Sequence, residues 1–156
     1  MAKHISIFIL ILLSVVSNAQ DPKSGPDVAA LIDNKRFEFV AESANPMRGR
    51  SIFLNAGYSV TFAGDTLKSF LPYYGRAYQA TLDPSEAGIK FTSADYEYQV
   101  KEKRKGWDLV VKPKDVTQAP VFTISVSKEG YATLRAVLVD RQSISFSGRI
   151  QKLTSK

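Results

Sequence analysis

The sequence predicts an all-β protein: an antiparallel meander of eight to ten strands closing into a β-barrel, after one short N-terminal helix. Three observations carry this. From Arg36 onward, apolar and polar residues alternate with period two through almost every segment. Neighbouring segments are joined by short turns rich in Gly, Asp and Lys. A sheet of that many strands must hide its edges, which closure does best; a two-sheet sandwich is the alternative. No internal repeat and no low-complexity segment interrupts the pattern.

The chain opens with "MAKHISIFILILLSVVSNAQ". Lys3 and His4 give a positive start, Ile5 to Val16 is almost unbroken apolar, and Ser17-Asn18-Ala19 are small. This pattern predicts a secretory signal peptide over residues 1–19, cut after Ala19 and helical over Ile5–Val16. The run is short of the roughly 20 residues a membrane span needs. No cysteine follows it, so no lipoprotein anchor is expected. Cleavage would leave 137 of the 156 residues, lower the charge from +6 to +5 with Lys3, and remove His4, the only histidine. There is no cysteine, so packing and not disulfides must hold the fold. A chain of this length buries roughly two-thirds of its unfolded surface, enough for one core.

Residues 20–26 are polar and rich in breakers and read as a flexible lead, leaving one domain over 27–153. In "DVAALIDNK" Val28, Leu31 and Ile32 recur helically behind a possible Asp27 cap. "RFEFVAE" puts Phe37, Phe39 and Ala41 on one face. "YSVTFAGDTLKSFL" is a hairpin over Gly64-Asp65, with Tyr58, Val60 and Phe62 sharing a face. A short strand follows at 89–91. In "YEYQVKEKRKGWDLVVK" Tyr96, Tyr98 and Val100 line one side and Trp107, Leu109 and Val111 answer from the return. "VFTISVSKEGYATLRAVLV" turns at Lys128-Glu129-Gly130, and "SISFSGRI" closes with Ile144, Phe146 and Ile150 on one face. The expected core is Phe37, Phe39, Val60, Phe62, Trp107, Leu109, Ile124, Leu134 and Phe146.

Several chemistries drop out. Without His or Cys after cleavage, a serine or cysteine nucleophile has no imidazole base. One Ser-x-x-Lys occurs, Ser125 to Lys128, but that spacing works on a helix and here it ends a strand. Transition-metal sites favour His and Cys, and no dense oxygen-ligand loop suits calcium; Asp83 and Glu86 are merely close in sequence. No pair of the 15 acidic residues stands out for glycoside hydrolysis. No catalytic residue, metal or cofactor is therefore expected. "KEKRK" at 101–105 falls at a hairpin tip, where its charge reads as protection against edge pairing, or less simply as a contact for an anionic headgroup or polysaccharide. Nucleic acid is a poor partner for an exported chain of such modest charge.

"LPYYGRAYQA" is the one crowded stretch. Pro72 keeps Leu71 extended, Gly75 permits a turn, and Arg76 and Tyr78 then point the same way. Three exposed tyrosines would offer about 450–750 Å², at or above the roughly 300–600 Å² of the largest patch on most monomers. At least one of Tyr73, Tyr74 and Tyr78 must therefore be buried, or the group lines a pocket or an interface. The simpler reading is a barrel rim with one Tyr plugging the core and Arg76 stacked on another. Tyr96, Tyr98 and Trp107 carry the same ambiguity between lining an interior cavity and filling it, and so many large aromatics argue for filling.

"LPYYGRAY", followed by "GIKF" at 88–91 and "RQSISFSGRI" at 141–150, resembles the exported Bacteroidota family catalogued as domain of unknown function 4251. The resemblance spans about residues 28–151 and implies a lipocalin-like barrel topology. It implies no activity and no site residues. Two readings of function stay open. One is a non-enzymatic periplasmic or secreted module that binds a small apolar or amphipathic molecule through Tyr73, Tyr74, Arg76, Tyr78, Tyr96, Tyr98 and Trp107. The other is a cell-envelope interaction domain with a filled core and no ligand. An interior cavity separates them.

Overall fold

In the computed structural model, residues 27–75 and 88–153 are described. The expected signal peptide, the expected flexible lead, Arg76, Tyr78, Asp83 and Glu86 lie outside them. Among the described residues, helix α1 (Val28–Asp33) precedes ten strands: β1 (Arg36–Pro46), β2 (Ile52–Phe53), β3 (Ser59–Ala63), β4 (Thr66–Leu71), β5 (Ile89–Ser93), β6 (Tyr96–Lys103), β7 (Gly106–Pro113), β8 (Val121–Ser127), β9 (Tyr131–Val137) and β10 (Ile144–Lys152). Asp27 caps α1 as read, its Oδ1 accepting from the Ala30 N–H at 3.2 Å. Six residues are too few to hold a helix unaided. The buried Val28 and Ile32 dock it on the core.

The strands form one antiparallel sheet in the order β5-β4-β3-β1-β10-β9-β8-β7-β6, with β2 added to β1. Apart from the β1–β3 step, each strand on this path pairs with its neighbour in sequence, and β1 pairs with β10, the contact by which a meander curls back on itself. This is the barrel-like all-β fold that the alternation predicts. The pairing also dictates where the curl stops. Nine strands lie on the path, every junction is antiparallel, so the end strands β5 and β6 run in the same direction along it. A parallel pair needs a crossover of a dozen or more residues. Only Ala94 and Asp95 separate β5 from β6. The two edges therefore meet at a corner and cannot pair, leaving a half-barrel with a seam. Asp115 pins the corner, accepting from Ser93 Oγ at 2.5 Å and from the Ala94 N–H at 2.7 Å. Those two bonds hold the Asp115 carboxyl below the usual range.

Aromatic rings fill the curl. Phe37 stacks on Phe62 at 4.5 Å, Phe62 meets Tyr98 and Tyr96 edge-on at 5.9 and 6.3 Å, and Phe91 of β5 stacks on Phe122 of β8 at 5.8 Å. The expected core residues are fully buried except Trp107, which packs half-buried against the core. Val100, expected to face inward with Tyr96 and Tyr98, is 42% exposed because β6 has no neighbour beyond it among the described residues. Tyr58, expected beside Val60 and Phe62, packs half-buried against the core and also stacks on Phe70, at 5.7 Å. Strand β1 runs four residues past its expected end. Its register shifts between Ala41 and Ser43, so the inward positions go from Ala41 to Ala44 and break the period of two.

Candidate functional site

The crowded tyrosine stretch lies at the end of β4. Leu71 is the strand's last residue and is fully buried. Tyr73 is half-buried, its hydroxyl donating to the Gln142 carbonyl at 3.0 Å. Its ring lies 5.0 Å under the Arg141 guanidinium. Arg141 in turn grips Asp140, with Nε and Nη2 donating to Oδ2 at 3.0 and 2.7 Å. Their side chains are only 12% and 22% exposed, so this pair is shielded from solvent more than most surface bridges. The guanidinium holds the Asp140 carboxyl below its usual range, and the carboxylate raises Arg141. Gly75 gives the Tyr73 ring its room: a Cβ there would stand 2.5 Å from Tyr73 Oη and would push that hydroxyl aside. Tyr74 is exposed.

The arginine that stacks on Tyr73 is Arg141, from the β9–β10 loop; the stack expected of Arg76 lies outside the described residues. Nothing in the sequence pairs Arg141 with Tyr73, since only the sheet order brings them together. Arg76 and Tyr78, both named with this group, lie outside the described residues.

The other tyrosines stand elsewhere and act as struts. Tyr96 donates to the Gly64 carbonyl, and Tyr98 to the Ile32 carbonyl at 3.1 Å. Lys35 Nζ lies 5.1 Å from the Tyr98 ring centroid and 5.9 Å from that of Tyr96. Burial pushes both phenols up, helped by Asp65 at Tyr96 and by Tyr96 and Asp33 at Tyr98. These bonds tie edge strand β6 to the β3–β4 turn and to the end of α1. Trp107 lines a third place, an open groove of about 600 Å³ floored by Ser125, Thr133 and Ser147. There Ser125 Oγ donates to Asp108 Oδ1 at 2.9 Å, and Lys103 pairs with the same carboxylate. The Lys103 bond comes first in lowering Asp108. With its hydroxyl given to Asp108 and Lys128 in the following turn, Ser125 is not disposed as a Ser-x-x-Lys nucleophile.

Among the described residues no three His, Cys, Asp or Glu side chains converge on a metal-sized site. Among the same residues no helix is long and apolar enough to cross a membrane. A second groove, of about 850 Å³, runs past Val40, Tyr58 and Phe70. Val40 and Phe70 neighbour buried residues on their strands and so face outward, which puts this groove on the outside of the sheet.

A family model described as "Domain of unknown function (DUF4251)" matches residues 20–150. Among solved structures, the chain is similar to a DUF4251 family protein from Bacteroides eggerthii DSM 20697, with a TM-score of 0.61 at 10% identity over 81% of this chain and 85% of that one. At such identity the likeness is one of fold. No curated protein matches.

Proposed function

The chain belongs to the family described as domain of unknown function (DUF4251), and from that premise we propose an exported, non-enzymatic module of the cell envelope that works through its surface. Its working end carries Tyr73, Tyr74 and Arg141. The observation that supports this is the interior. Phe37, Phe39, Phe62, Phe122 and Phe146 are each fully buried, and their rings occupy the space a small apolar ligand would need. The Ser17-Asn18-Ala19 cleavage pattern supports export to the periplasm or beyond. The lack of His and Cys after cleavage supports a role without catalysis.

The test is native mass spectrometry of protein purified from its own envelope, with a photo-crosslinker in place of Tyr74. The expected result is a mass equal to the bare polypeptide and a crosslink to an envelope component. A stoichiometric small molecule that survives desalting would favour the ligand-binding reading instead.

A further inference from the structure

We propose that this end of the barrel docks on an anionic phospholipid bilayer, with the β1–β2 hairpin as its main anchor. The proposal deepens the surface reading above and rests on it. Cross-strand register sets the geometry: Pro46 of β1 lies opposite Ile144 of β10, which lies opposite Ala136 of β9. Met47 and Val137 each follow that row by one residue toward the same end. They are therefore two strand spacings apart, roughly 10 Å. Val139 lies two residues farther along, in the loop that holds Arg141. Met47 is 65% exposed, Val137 42% and Val139 77%. Phe53, on the returning arm of the hairpin opposite Ser43, is 89% exposed. Among the described residues Phe53 and Val139 are largely free of packing, while Met47 and Val137 are partly covered.

Their neighbours are cations. Residues 45–55, "NPMRGRSIFLN", contain two arginines and no acid. Arg48 and Arg50 are exposed and form no ion pair among the described residues. Arg135, opposite Ser145, adds a further exposed cation, while Asp140 is already occupied by Arg141. Gly49, at φ 109°, has nothing among the described residues within 4 Å of where a Cβ would be, so the hairpin tip stands clear of the described body. Met and Phe beside arginine on a projecting tip suit the boundary between headgroups and acyl chains. There the apolar side chains leave water and each guanidinium can grip a phosphate with two hydrogen bonds. The apolar groups sit on separate tips and not on one continuous patch, which favours a deformable lipid surface over a shaped protein one.

The experiment is flotation of the mature protein with vesicles of phosphatidylcholine, with and without phosphatidylglycerol. Binding is expected only with the anionic lipid and should weaken as salt is raised. Arg48→Ser with Arg50→Ser should weaken partitioning about 25-fold, at about fivefold per cation. Met47→Ser with Phe53→Ser should weaken it by roughly tenfold or more. Tyr131→Ser, which removes an exposed ring at the other end of β9, should leave it unchanged. The arginine and Met47/Phe53 variants should melt close to the parent, because those side chains are largely exposed; Tyr131→Ser loses its stack under Arg149, 5.6 Å away, and should melt slightly lower while floating like the parent. Failure to float with the anionic vesicles overturns the proposal. So does a Met47/Phe53 variant that partitions like the parent, or a Tyr131 variant that loses as much. An envelope protein captured from Tyr74 without vesicle binding sinks the lipid proposal and leaves the surface reading standing. A small molecule retained in the interior sinks the surface reading whatever the vesicles show.

Discussion

Arg141 pairs with the Asp140 carboxylate beside it in the β9–β10 loop, and its stack on the Tyr73 ring holds that loop against the end of β4. Arg141→Ala should lower stability by about 1–3 kcal/mol, measured by urea unfolding. Arg141→Lys should recover only part of it, because an ammonium cannot reproduce the fork or the stack. Asp140 adds a pH dependence with a definite sign. Its folded pKa is depressed, so its contribution is present above the ordinary aspartate value of about 3.9 and is lost as pH falls below it. Asp140→Asn should therefore reduce the fall of melting temperature on acidification. Tyr98 works at the other limit. Its folded pKa is raised by burial, so stability is intact below the unfolded tyrosine value of about 10 and declines above it. Tyr98→Phe should cost about 1 kcal/mol at neutral pH through the lost bond to Ile32, and should flatten the alkaline decline.

The element most exposed to a single change is the β1–β10 ladder. At Gly148 the two backbones come so close that a Cβ would stand 1.9 Å from the Val40 carbonyl oxygen. Gly148→Ala must push the strands apart, and should cost roughly 3 kcal/mol or more, visible as a lower melting temperature and faster amide exchange along both strands. Elements of this kind were legible wherever alternation ran unbroken: both arms of the β3–β4 and β6–β7 hairpins, and β8 to β10. Legibility failed where local rules were interrupted. The bulge at Glu42 resets the inward face of β1, and Asn45 and Pro46, poor strand formers, are nonetheless paired, so no local pattern marks the end of β1 or β2. The candidate site was legible as a crowded stretch, but not as a structure. Tyr73 finds its partner carbonyl 69 residues away, and no local pattern carries a contact of that separation.

For the molecule as a whole, the filled interior makes the core the main source of stability. Phe122→Ala should cost about 3–5 kcal/mol, measured by urea unfolding, because Phe91 would lose the ring it stacks on. The pairing of β1 with β10 also has a consequence in time. Glu38 and Gln151 are joined across 113 residues of chain, whereas β6 with β7 and β8 with β9 are joined across turns of a few residues. The local hairpins can form early, while β1 must wait for the end of the chain before its inner row of Phe37, Phe39 and Ala41 gains its last neighbour. Folding should be slow and should finish with that closure. A chain cut before Ile144 lacks the nine residues of β10 and should stay unfolded however complete its other hairpins are. Any machinery that holds back the C-terminal segment during synthesis or transport therefore handles an open, extended chain, and release of that segment is the event that starts the clock on its final shape.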